Sequence, residues 1–188
     1  MTRQTPTGEL LVDEALPDGH RWYRICEAGW ADPLDDTFAA TRGGRWNPPG
    51  SWRTLYLNED LVTARLNLDG FIAAWPYEPE DLDDSTGPHL AVATLPRSRQ
   101  VADAHTPIGV AAAGLPPTYP TAGDGALVPH SDCQPIDANA RDAGLRGVRC
   151  RSARAPHGAG REVAWFPATA CSRAHLVERF GFSDWFWG

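Results

Sequence analysis

Short runs of alternating apolar and polar residues dominate this chain, and helical periodicity is confined to a few stretches. Residues 21–26 read as a strand, with Trp22, Arg24 and Cys26 on one face and Tyr23 and Ile25 on the other. Residues 55–57 form a shorter strand. Asn58 or Asp60 then caps a helix running to about residue 75, with acidic residues at its start and Pro76 at its end. Within it Ala64, Asn67, Leu68, Phe71 and Trp75 fall at the spacing of a buried stripe. Further strands are predicted over 89–95, 147–151 and 162–166. Further helices are predicted over about 131–144, with Pro135 in its first turn, and over 170–180.

The remaining stretches read as connections. Residues 1–13 form a loosely held lead-in, 32–50 are rich in turn formers, and 77–88 make an acidic loop. Residues 102–128, rich in alanine, glycine and proline, read as mostly irregular. The aromatic tail Trp185-Phe186-Trp187 is expected to dock on the domain, with a partner site as the alternative. No internal repeat is visible.

Composition narrows the classes. The chain has 188 residues, 42% hydrophobic and 22% charged, which suits one globular domain with a sizeable core. It shows no signal-peptide layout and no run of transmembrane length, so a cytoplasmic protein without membrane contact is expected. A net charge of −7 argues against general nucleic-acid binding. All 17 basic residues are arginine, and six lie between Arg141 and Arg161. These six suit either a basic patch or the outward faces of strands. The four cysteines are scattered without a CxxC, and free, mostly buried thiols are expected. The six histidines show no metal-ligand spacing, and the sequence lacks GxSxG, HExxH, GxGxxG and P-loop motifs.

The densest local signal is Gly43-Gly44-Arg45-Trp46-Asn47-Pro48-Pro49-Gly50, followed by Leu55-Tyr56-Leu57. Glycines permit unusual backbone angles and prolines stiffen the exit. Arg45 in such a loop is either positioned to grip a phosphate or carboxylate, or a solvated arginine in a tight turn.

Three blocks together resemble the RES domain family: Trp22-Tyr23-Arg24-Ile25; the glycine–arginine–tryptophan loop with residues 55–68; and Gly147-Val148-Arg149-Cys150-Arg151-Ser152-Ala153-Arg154. That family includes the toxins of RES–Xre toxin–antitoxin pairs. The resemblance implies a single α/β (α+β) domain over residues 1–188, with its core at about 20–168. It also implies a fold like that of ADP-ribosyltransferases, with central mixed β-sheets flanked by helices. The implied activity is destruction of NAD+ as substrate, with no further cofactor and no metal. The implied partner is an Xre-type antitoxin.

Breaking the nicotinamide–ribose bond passes through an oxocarbenium-like state. The resemblance points to Arg24 and Arg45 for the pyrophosphate, Tyr56 for the nicotinamide face and Ser152 for its ribose. Alternation places Ser152 with Val148 and Cys150 on an inner face. One departure stands out: Asn67 occupies the position of the family's glutamate. Asp69 lies roughly 200° around the helix and Asp60 roughly 10 Å along it, so neither replaces that carboxylate. Three readings follow. The chain is an NAD+-degrading toxin, hydrolytic or phosphorolytic; or a catalytically weakened nucleotide- or partner-binding relative; or an ADP-ribosyltransferase acting on a macromolecule.

Overall fold

The computed structural model describes residues 11–188. Its strands are β1 (Asp13–Ala15), β2 (Trp22–Cys26), β3 (Leu55–Asn58), β4 (His89–Thr94), β5 (Gln100–Ala104), β6 (Gly147–Arg151), β7 (Arg161–Trp165) and β8 (His175–Phe180). They form one sheet in the order β1-β5-β6-β7-β3-β2-β4-β8. Every pair is antiparallel except β5–β6, whose crossover carries helices α3 (Pro107–Ala112) and α4 (His130–Asp142). The other helices are α1 (Thr37–Arg42), α2 (Leu61–Ile72) and α5 (Phe182–Phe186). This is the single α/β domain that the sequence leads one to expect. No helix among the described residues is long and apolar enough to cross a membrane.

The sheet opens in one place. Strands β2 and β3 pair only at Tyr23–Asn58, whereas β2 pairs with β4 at five positions and β3 with β7 at four. Two wings, β1-β5-β6-β7-β3 and β2-β4-β8, therefore diverge from a single joint. Asn58 braces that joint by donating its side-chain Nδ2 to the Tyr23 carbonyl at 3.1 Å.

Register assigns the faces, because residues paired across strands point the same way. One face carries Ile25, Tyr23, Asn58, Tyr56, Glu162, Ala164, Cys150 and Val148. Helix α4 packs on its β6 side through Cys133, Ile136 and Ala140, and α2 covers its β2 side through Ala64 and Leu68. The other face buries Trp22, Leu55, Leu57, Val163 and Trp165.

Local chemistry explains the helix ends. Asp60 caps α2 by accepting from the Thr63 amide at 2.6 Å. Helix α4 stops in a Schellman turn: Gly144, at φ 79°, donates to the Arg141 carbonyl, and Leu145 donates to that of Ala140. In α5, Phe182 and Trp185 are buried, and the Trp185 indole donates to the Pro88 carbonyl at 2.9 Å. The aromatic tail thus docks as expected, with Trp187 left exposed.

Four expectations need correction. Residues 170–180 are not a helix but a short 3-10 turn and then β8, an edge strand paired with β4. Residues 102–128 are not irregular throughout: β5 is inserted between β1 and β6, and Thr106 with Pro107 starts α3. Helix α2 ends at Ile72, so Trp75 lies beyond it and Phe71 is 54% exposed instead of buried. Helix α4 starts at His130, which moves Pro135 past its first turn. Of the predicted lead-in, residues 1–10 lie outside the described residues, and Asp13 already belongs to β1.

Candidate active site

A cleft of about 280 Å³ occupies the split between the wings. Its lining comprises Arg24 and Ile25 from β2, Tyr56, Leu57 and Asn58 from β3, Asn67 and Phe71 from α2, and Glu162 from β7. It forms because β3 leaves β2 after one paired position while α2 spans the gap.

Polar contacts inside the cleft are specific. Asn67 uses both amide hydrogens, donating Nδ2 to Asn58 Oδ1 at 2.5 Å and to Glu162 Oε1 at 3.0 Å. Asn58 in turn holds the Tyr23 carbonyl. This chain of amides fixes the Asn67 side chain and presents its N–H to a carboxylate.

Tyr56 contributes a ring to the lining, but its hydroxyl is occupied. It donates to Asn47 Oδ1 at 2.7 Å and accepts from the Trp46 amide at 3.0 Å. Burial pushes the phenol well above its ordinary range, against the lowering effect of the Trp46 contact. The glycine-rich loop is therefore pinned to β3. A Cβ at Gly44 would lie 2.5 Å from the Tyr56 hydroxyl, so only glycine fits there. Trp46 and Asn47 are buried, and Asn47 donates to the Ala39 carbonyl at 2.7 Å.

The loop is rigid, as its composition implies, but Arg45 turns elsewhere. It is half-buried and donates Nη1 to the Val128 carbonyl at 2.8 Å, away from the cleft lining. Ser152 does lie on the inner face, fully buried. Its hydroxyl accepts from the Arg154 amide at 3.2 Å in a local turn, and it too is outside the cleft lining. Arg24 borders the cleft from β2 with its guanidinium 5.3 Å from the Trp30 ring, and its Nη1 is buried without a hydrogen-bond partner. Burial lowers its pKa, partly offset by Cys26 and the carboxylates of Asp35, Asp32 and Asp36. Of the five residues read as site residues, the structure brings Arg24, Tyr56 and Asn67 together.

Sequence reasoning missed Glu162. It sought a carboxylate along α2, whereas the cleft receives one from β7. At the outer rim Arg154 is exposed, with its guanidinium 5.9 Å from the Phe71 ring.

The other arginines of the C-terminal cluster are engaged within the fold. Arg149 donates to Glu59 and Glu14, and Arg151 donates to the carbonyls of His105, Pro117 and Tyr119. Glu14, Asp103 and His105 also cluster, but the ring nitrogens of His105 are taken by Glu14 at 2.7 Å and Arg161 at 3.2 Å. A charge network accounts for that group. Cys26, Cys133 and Cys150 are buried free thiols and Cys171 is an exposed one.

Comparison with known proteins agrees with this architecture. No curated protein matches the chain. Among solved structures, a chain of the M. tuberculosis MbcT–MbcA toxin–antitoxin complex superposes with a TM-score of 0.68 at 23% identity. The match covers 89% of this chain and 87% of that one. Residues 21–183 match the RES domain, a span that holds strands β2 to β8 and every residue of the cleft, and the chain belongs to the RES domain family.

Proposed function

We propose that this chain is the toxin of a toxin–antitoxin pair and acts by cleaving the nicotinamide–ribose bond of NAD+, with water or phosphate as acceptor. An Xre-type antitoxin would be its neutralising partner. Family membership and the likeness to a chain of a toxin–antitoxin complex support the first part. The observation that carries the second is the meeting of an aromatic ring, a fixed amide and a carboxylate in the one opening of the sheet.

Each group matches a demand of the reaction. The developing positive charge on the ribose calls for a preorganised negative group. The leaving nicotinamide calls for an apolar wall, which Tyr56, Ile25 and Leu57 form. The pyrophosphate calls for cations; Arg24 lines the cleft, and Arg154 lies beside Phe71, which lines it too. Arg45 and Ser152 serve this reading as supports, Arg45 fixing the Val128 segment and Ser152 the turn that carries Arg154. The Glu162 carboxylate beside Asn67 supports this reading over that of a catalytically weakened relative.

Induced expression in a bacterial host tests the proposal in cells. The account predicts that total NAD+ plus NADH falls before growth stops. Growth arrest with an unchanged dinucleotide pool would overturn it.

A further inference from the structure

We infer that in this chain the catalytic carboxylate is Glu162 on β7, and that Asn67 on α2 is its positioning residue. The inference rests on the NAD+-cleaving reading above and assigns the charge within that site.

Glu162 is the one carboxylate that lines the cleft among the described residues. Asp60 is spent on capping α2, and Asp69 faces solvent. Glu59, although next to Asn58, points to the opposite face, where it binds Arg149. Glu162 shares its face with Asn58 and Cys150 through register, which aims it at the underside of α2. There the Asn67 N–H meets it at 3.0 Å, with the amide plane held by Asn58.

This geometry also explains why residue 67 is an amide. A carboxylate at 67 would stand about 3 Å from Glu162. Two anions at that separation cannot both stay ionised, and one would keep its proton. An asparagine instead donates to Glu162 and fixes the direction of its side chain. The pair holds a single carboxyl group, located on the strand.

In the reaction, the C1′–N bond breaks and its electron pair leaves with neutral nicotinamide. Glu162 faces the positive charge that develops on the ribose. A water oxygen then forms the new C1′–O bond, and the proton it loses passes to Glu162 and on to solvent. Overall, NAD+ and water give nicotinamide, ADP-ribose and one proton.

Nicotinamide release by purified wild type, Glu162→Gln, Asn67→Leu, Asn67→Glu and the exchange variant Asn67→Glu/Glu162→Gln tests the assignment, with folding checked by circular dichroism. Glu162→Gln should lose about 10²-fold or more in turnover, with little change in KM. Asn67→Leu removes the donor that holds Glu162 in place, so kcat should fall while KM stays near the wild-type value. Asn67→Glu alone should be slower than wild type at neutral pH. The exchange variant restores one unopposed carboxylate and should be faster than either single variant. Wild-type turnover in Glu162→Gln, or a gain in Asn67→Glu alone, would overturn the assignment while leaving NAD+ cleavage standing. A wild-type protein that releases no nicotinamide with water or phosphate would overturn the reaction itself, and the assignment with it.

Discussion

Asp137 should make this protein less stable as pH rises through neutrality. It lies on α4, fully buried, and accepts from the Trp52 indole at 2.7 Å through Oδ2, while Oδ1 has no partner. Burial pushes its carboxyl from 3.8 up to about 8, against smaller lowering effects from Trp52 and Arg141. The folded state therefore keeps this proton between roughly pH 4 and pH 8, where the unfolded chain has released it. Stability then falls with rising pH across that window, by up to about 1.4 kcal/mol per pH unit. The total is on the order of several kcal/mol. Asp137→Asn cannot ionise and still offers an oxygen to Trp52. Urea denaturation at pH 5, 6.5 and 8 should show wild type losing stability steadily and the variant holding nearly level. At pH 8 the variant should be the more stable protein. Parallel pH dependence in the two would refute the reasoning.

Three further substitutions probe the loop beside the cleft. Tyr56→Phe leaves the Trp46 amide and Asn47 Oδ1 unpaired and should cost about 1–3 kcal/mol in urea denaturation. Gly44→Ala forces a Cβ against the Tyr56 hydroxyl, so its thermal midpoint should fall below that of wild type. Arg45→Ala loses the contact with the Val128 carbonyl and should cost about 1.5–3 kcal/mol of stability. Calorimetric titration with NAD+ should show its affinity retained. Lost affinity at unchanged stability would instead return Arg45 to the ligand.

The parts of the fold legible in the sequence are those whose signal is local. Alternation located β2, β4, β6 and β7 to within a residue or two, and the inner placing of Val148, Cys150 and Ser152 follows from the same rule. Strand β5 escaped because Val101, Ala102 and Ala104 are small apolar residues with weak local preference; the neighbouring strands decide its state. Strand β8 escaped because the alternation of an exposed edge is not set by a core. At the site, Asn67 and Tyr56 were accessible through motif and periodicity. Glu162 was not, although the strand containing it was predicted. Its role depends on register with β3 and on the way α2 bridges the split, both long-range relations. Arg45 shows the converse: its loop is as firm as glycine and proline suggest, yet side-chain direction is chosen by the Val128 segment 83 residues away.

The most direct test of the central claim is chromatographic measurement of nicotinamide released from NAD+ by the purified protein, with Glu162→Gln run beside it. The account predicts that wild type converts NAD+ to equimolar nicotinamide, and that the variant does so about 10²-fold more slowly or worse. NAD+ left intact by a folded wild-type protein, with phosphate and without it, would contradict the account.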